Sequence, residues 1–590
     1  MQPNQNPMRP DSKNLILATV LSMAIIFAWQ FFFTKPQLEK AQQQAQIEAQ
    51  AQQAAVPGTT ASNVLPRDQA VAAGPRVKID TPEFSGSINL TGAALDDLTF
   101  KTLRVSVEPG SPNVTLLTPS GAQDAYFAES GFVAPQGSTL VLPDAKTVWT
   151  APADAVLTPT TPVTLTYNNG AGLAFQRQIS VSDQYVFTIK DTVTNSSQAP
   201  VSLIPYARIQ RQDTPHIQGY TTFYEGMLGV QDGSLEEATY KATAKDGGTV
   251  TKPATGGWLG FTDKYWATAL IPNTKLPLTA TYQHFMLGAR DAYQVDWLAK
   301  DAVTIAPGTA TDIEAKVFAG AKDVGTIRDI GTKYGIEKFD LMIDWGWFGF
   351  LTRPMYALLH FAKGIMGNFG LAILLVTVLV KLAVFPLANK SYASMSKMKK
   401  LQPAMEQIKA QFPDDKVRQQ QEIMEMYKRE KVSPLSGCLP IAVQIPIFFA
   451  LYKVILTSID LRHAPFYGWI HDLSAQDPTS LFNLFGLLPF TPPHALMIGI
   501  WPLLMGVTMW VQMRLNPAPA DPVQASMFNW MPLIFTYMMA SMPAGLVIYW
   551  SWSNLLSIIQ QSYIMKRNGT EIDLFGNIRN SLPFLKKKQA

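Results

Sequence analysis

Cys438 is the only cysteine in 590 residues. That excludes an intramolecular disulfide framework and any Cys₄ or Cys₂His₂ zinc site. Charge is also scarce. Asp, Glu, Lys and Arg make up 16% of the chain, against about 25% in soluble proteins. The 48 basic and 44 acidic residues leave +4, too little to argue for nucleic acid. No Gly-rich phosphate loop or nucleophile elbow is present. His216 and His284 lie far apart, with no metal-spaced cluster around them. No metal, cofactor, nucleotide or covalent catalysis is therefore expected. The mean hydropathy of +0.05 looks neutral, but an average over so long a chain can hide a polar and an apolar population.

Uncharged runs separate the two populations. They cover Asn14–Thr34, Gly364–Val380, Val432–Tyr452, Pro478–Met513 and Pro522–Met565. A helix crossing the hydrocarbon core needs about 20 apolar residues. Pro492-Pro493 shortens the fourth run, and Met542-Pro543-Ala544-Gly545 folds the fifth into two. Six spans are expected, near 14–34, 368–388, 437–457, 495–513, 526–541 and 545–565. The first is read as an uncleaved anchor, because bulky Trp29-Gln30-Phe31-Phe32-Phe33 stands where a cleavage site needs small residues.

Lys and Arg orient these spans. Residues 389–434 carry ten basic against six acidic residues, and 566–590 carry six against two. The loop 460–494 has Arg462 against Asp460, Asp472 and Asp477. Both termini and 389–434 then lie in the cytoplasm, with 35–344 and 458–494 outside. The small total charge is a sum of opposites: −7 over 34–344 and +11 over the rest.

Residues 35–75 read as a low-complexity linker. From about 76 the pattern alternates with period two. Val163–Tyr167, a turn at Asn168-Asn169-Gly170, Leu173–Val181 and Tyr185–Lys190 are examples. An all-β sandwich is expected over 76–325, then a connector and an amphipathic interfacial helix over 326–366.

In the membrane half, Lys381 lies about 20 Å into its span at 1.5 Å per residue. A lysine at that depth costs about 2.5–3.5 kcal/mol. It either snorkels to the inner surface or serves as the cation of a polar groove. Thr377 shares its face, and Gln444 and Gln512 lie in the inner halves of neighbouring spans. Tyr549, Ser553, Ser557 and Gln560 form one stripe of the last span, widened by Trp550, Asn554 and Gln561. Such a stripe either glues helices together or lines water. Pro386 leaves the Leu382 carbonyl without its helical donor. Residues 389–434 read as a basic helical hairpin. Met395, Met398, Leu401, Met405 and Ile408 form a stripe on its first helix, beside Lys399 and Lys400. Asp414 is expected to cap its second helix, whose apolar side is Val417, Ile423, Met424 and Tyr427. These methionines either pack the hairpin or offer an adaptable apolar surface.

Several runs resemble the YidC membrane protein insertases. They are VKLAVFPLANKSYASMSKMKKLQP (380–403), YKREKVSPLSGCLPIAVQIPIFFALYKVI (427–455), LRHAPFYGWIHDLSAQDP (461–478), MGVTMWVQ (505–512) and MPAGLVIYWSWSNLLSIIQQ (542–561). The resemblance is to the Gram-negative bacterial type. It implies a multi-pass α-helical inner-membrane protein with a five-helix insertase core over 367–565 and a periplasmic β-supersandwich. It implies insertion and folding of nascent membrane proteins, alone or with the Sec translocon and its accessory subunits, through a groove open to the cytoplasm. Lys381 stands where the family typically has Arg, keeping the charge without the bidentate fork. Tyr549 and Trp550 fall at its substrate-contacting aromatic pair. The basic tail 566–590 is the expected ribosome contact, and membrane lipids are the surrounding partner. Two other readings stand beside this one. A small-solute transporter or channel is one, although no internal repeat is seen. An envelope enzyme or sugar-binding protein using the β domain is the other.

Overall fold

The computed structural model describes residues 64–135, 137–215, 223–245, 248–432, 439–490, 492–493, 496–516 and 522–570. The expected anchor at 14–34, most of the linker 35–75, the tail beyond 570, His216 and Cys438 lie outside them.

Period-two burial builds the first half. Leu173–Val181 and Val186–Asn195 alternate inward and outward residues along their length. With Val163–Asn168 they form an antiparallel meander, pairing Val163 with Ile179 and Ile179 with Ile189. The turn at Gly170 is left-handed, at φ +70°. Its backbone N–H and that of Ala171 are held by the side chains of Asn168 and Asn169. These strands belong to an eight-stranded sheet whose other edge is Ser234–Ala238. An eleven-stranded sheet faces it, with Pro277–Leu287, Arg290–Ala299, Val201–Gln212 and Tyr126–Val133 side by side. Phe100, Phe132, Phe175, Phe187, Phe261 and Trp297 fill the space between them. The result is the β-sandwich expected from the sequence.

Arg177 is one of the charged residues buried in the sandwich. It is 1% exposed. Its cross-strand partner is Asp191, which accepts two bonds from the guanidinium at 2.7 and 2.8 Å. A third goes to the Ser130 carbonyl at 2.9 Å, and the Trp149 ring lies 5.1 Å away. Burying this charge is tolerable because the carboxylate, the carbonyl and the ring all face it.

A third layer covers the outer face of the smaller sheet. The helix Val324–Tyr334 is capped by Asp323, which accepts from the Thr326 N–H at 2.7 Å. Its Ile327 and Ile330 pack with Phe339, Met342 and Trp345 over Trp258 and Phe318. The segment expected to be a connector is thus packed onto the sandwich.

The second half is helical. Its helices are α1 (Gly349–Met366), α2 (Phe369–Ala383), α3 (Phe385–Lys400), α4 (Gln402–Gln411), α5 (Lys416–Arg429), α6 (Leu439–Thr457), α7 (Ile500–Leu515), α8 (Pro522–Met539) and α9 (Ala544–Arg567). α1 and α2 meet at 118°, across left-handed Gly367 and the N-cap Asn368. Among the described residues no single helix is long and apolar enough to cross a membrane, although α1 and α2 together meet that test. The span expected at 368–388 is two helices, broken at Val384, because Pro386 cannot donate to Leu382. The fold expected at Met542–Gly545 is present. There the N–H groups of Ala544 and Gly545 donate to the carbonyls of Ala475 and Leu473, at 2.7 and 2.9 Å.

The hairpin departs from expectation in three ways. Pro403 starts a new helix, so the methionine stripe is split between α3 and α4. Met395 packs with Ala388, Tyr392 and Ile564 of α9 instead of inside the hairpin. The cap of α5 is Asp415, which accepts from the Arg418 N–H at 2.9 Å. Met426 is buried with Met405, Ile423 and Tyr427, while Met424 and Val417 are exposed.

Two outcomes test this packing. Arg177→Met strands the Asp191 carboxylate and should cost about 3–5 kcal/mol. Arg177→Met with Asp191→Leu should recover most of it, as read from the urea midpoint of sandwich unfolding. Burial holds the Lys322 and Lys264 ammonium groups down to about 8, against about 10.4 in the unfolded chain. Between these values the unfolded chain binds more protons, so stability should rise from pH 8 to about pH 10. Above that, buried tyrosines such as Tyr240 and Tyr282, held above their usual range by desolvation, act oppositely. Lys322→Met should flatten the rise in a pH series of urea melts.

Candidate functional site

The uncharged runs that form α2, α6 and α9 bring Lys381, Gln444 and the α9 stripe together. Lys381 Nζ donates to Ser557 Oγ at 2.7 Å and to Gln444 Oε1 at 3.1 Å. Gln444 turns its amide the other way. Nε2 donates to Ser553 Oγ at 2.8 Å and to the Tyr549 hydroxyl at 3.0 Å. Ser557 in turn donates to the Ser553 carbonyl at 2.8 Å. One lysine, one glutamine, two serines and one tyrosine form a continuous polar network linking three helices.

A cavity opens beside this network. Val380, Val384, Leu387, Val443 and Ile447 supply much of its wall, and Lys381, Gln444, Tyr549 and Gln560 its polar side. Among the described residues no carboxylate lines it, and those that meet the ammonium do so with neutral oxygens. A cation held this way keeps its field available to an incoming anionic or dipolar group.

The expected site residues divide. Lys381, Gln444, Tyr549 and Ser553 meet in the network. Thr377 lines the cavity and closes its hydroxyl onto the Ile373 carbonyl at 2.6 Å. Trp550 points elsewhere, packed against Phe448 at 4.7 Å and Phe535 at 5.8 Å between ring centres. Gln512 is half-buried on α7 and is not a lining residue. The residues expected to widen the stripe serve as interhelical contacts instead. Asn554 donates to Thr508 at 3.3 Å and Gln561 to Asn516 at 2.9 Å. Interhelical bonding is thus seen on both faces of α9, and Tyr549 and Gln560 also line the cavity. Met395, Met398, Lys399, Lys400 and Met405 do not line the cavity. Lys400 instead donates to the Asn568 carbonyl at 2.9 Å, past the end of α9.

Sequence reasoning missed Tyr392, which lines the cavity from α3. The residue sits in what read as the basic helical hairpin 389–434. The helix break at Val384 is what turns it toward α9.

Comparison with known proteins agrees with this architecture. Residues 76–358 match the YidC periplasmic domain, and 361–571 match the 60Kd inner membrane protein family. The membrane protein insertase YidC of Bradyrhizobium diazoefficiens is 50% identical over 611 residues, spanning 97% of this chain and 99% of that protein. Its counterpart in Beijerinckia indica subsp. indica is 50% identical over 601 residues, with the same coverage. A crystal structure of an active YidC insertase with its first transmembrane domain resolved covers 83% of this chain and 95% of its own. At 17% identity and a TM-score of 0.34 it superposes poorly, so the assignment rests on the full-length relatives. On these matches, the chain belongs to the YidC family.

Proposed function

We propose that this protein inserts nascent membrane proteins into the bacterial inner membrane, working alone or with the Sec translocon and its accessory subunits. The observation that carries this is the Lys381 ammonium, held by Gln444 and Ser557 beside an apolar-walled cavity without a carboxylate. A hydrophilic segment of the substrate enters this groove from the cytoplasm, where the cation and the α9 hydroxyls replace part of its water. Its apolar segment then passes into lipid along α2 and α9. No nucleotide is consumed, and partitioning of apolar surface drives the transfer.

The topology that serves this function has six spans with both termini in the cytoplasm and residues 35–344 in the periplasm. The uncharged runs, the asymmetric Lys/Arg distribution and the 118° bend between α1 and α2 support it. That bend suits an interfacial α1 lying across a spanning α2. The domain plan is an anchor over 1–34, a linker over 35–75, the sandwich over 76–325, a connector with interfacial helix over 326–366, the insertase core over 367–565 and a basic tail over 566–590. The hairpin 389–434 and the tail carry the positive charge suited to ribosomal RNA.

Two measurements test the groove. Removing a charge-assisted contact worth about 1.5–3 kcal/mol lowers a rate about tenfold to a hundredfold. Lys381→Ala should slow insertion of a single-span substrate by that range, Lys381→Glu should slow it further, and Lys381→Arg should restore it. Protease protection in a depletion strain reads the result, and equal insertion by all four proteins would remove the groove charge from the mechanism. Photocrosslinking to a stalled nascent chain should succeed from Tyr549. From Trp550, packed between α6 and α8, the yield should be lower.

A further inference from the structure

A second cleft lies where the sandwich meets the helices, far from Lys381 in sequence and lined by different residues. Its cavity volume is about 930 Å³, at the upper end of the ~300–1,000 Å³ of a small-molecule site. Leu235, Glu237 and Thr239 contribute from the edge of the eight-stranded sheet, and Thr352, Phe449 and Tyr452 from α1 and α6. The segment Trp345-Gly346-Trp347-Phe348 crosses between the two sides.

Its charge is concentrated at one end. Lys453 Nζ donates to Asp344 Oδ2 at 2.6 Å, and the same oxygen accepts the Tyr224 N–H at 2.7 Å. Asp344 is thereby engaged. Glu237 is the second carboxylate of the cleft, so two acids face one lysine there. Burial and the Asp344 charge hold the Glu237 carboxyl above its usual range, the condition that a cation arriving beside it relieves.

The rest is apolar and open. Phe348 stacks on Phe449 at 6.4 Å, Trp347 is 99% exposed and Phe350 is 77% exposed. Gly346 keeps the passage clear. Its φ is +69°, and a side chain there would meet the Lys453 stem at 3.2 Å. Exposed tryptophan and phenylalanine beside an amphipathic helix mark the bilayer's headgroup level. Lys453 lies four residues from the end of α6 at Thr457, about 6 Å along the helix, which is the same level in the proposed topology.

We propose that this cleft binds one phospholipid of the outer leaflet, with an amine-bearing headgroup at Glu237 and an acyl chain over the Phe348–Phe449 floor. The excess carboxylate selects an ammonium and disfavours an anionic headgroup, and the aromatic rim takes the chain. The lipid would fill the seam between the sandwich and α1. The inference rests on the proposed placement of α1 and the end of α6 at the outer membrane face.

The full-length protein is reconstituted into vesicles of phosphatidylethanolamine and phosphatidylglycerol in equal amounts, extracted in mild detergent and examined by native mass spectrometry. One retained phosphatidylethanolamine per chain is expected. Glu237→Lys should reverse the preference toward phosphatidylglycerol, and Leu235→Trp, which narrows the mouth, should lower retention about tenfold. No retained lipid in the wild type, or the same lipid on all three proteins, overturns the proposal. So does a peptide found in the cleft in place of lipid. Labelling of Trp347→Cys from outside intact cells tests the topology separately. Insertion of a single-span substrate by the same vesicles tests the groove. Either can stand while the lipid site fails.

Discussion

A full positive charge inside a bundle of apolar helices has to be solvated by something. Here Lys381 is solvated by side-chain oxygens on two other helices. Leaving an ammonium unmet in such surroundings costs far more than any single packing contact returns. The lysine therefore dictates the relative rotation of α2, α6 and α9. Gln444 has to present its oxygen to the lysine and its amide to Tyr549 and Ser553, which fixes both faces of α6 at that level. The apolar contacts around Ala372, Ile373, Val376, Leu451 and Ile548 then close over an arrangement the polar atoms have chosen.

The sandwich obeys the same logic on its own side. Arg177 and Asp191 are placed opposite one another by strand register, not by proximity in sequence. The seam between the two halves also carries specific polar contacts. Arg462, from the loop after α6, donates to the Arg104 and Val105 carbonyls and lies over the rings of Tyr265 and Trp266. Tyr265 reaches Ser474 of the same loop at 3.2 Å. On α1, Tyr356 and His360 share one oxygen of Asp460. The sandwich is therefore docked on the loop that also terminates α9.

What could be read from the sequence follows from which signals are local. Alternation along 163–195 and the Asn-Gly turn gave the meander, because strand faces and turn geometry are set within a few residues. The polar stripe on α9 was visible for the same reason. Its division into a face toward Lys381 and the cavity and a face toward α7 was not, since that depends on which neighbour each face meets. Asp414 and Asp415 are equivalent N-cap candidates in sequence, and whether Met424 or Met426 joins Ile423 and Tyr427 on the buried side of α5 depends on how that helix meets α4. Pro386 was read as loosening a helix. It ends one, and that break brings Tyr392 into the cavity and sends Met395 to Ile564.

The cap on α9 has a mechanical side. Two backbone bonds to Ala475 and Leu473 pin the helix at Ala544 and Gly545, so any tilt pivots there. Ser557 lies twelve residues away, about 18 Å along the axis, and a tilt of about 3° would carry it roughly 1 Å. The bond from Lys381 to Ser557, at 2.7 Å, would then exceed hydrogen-bonding range, about 3.5 Å. Tyr549, four residues from the pivot, would hardly move. The lysine is thus a lever's far-end catch, released by a small rotation that leaves the N-terminal end of the helix in place.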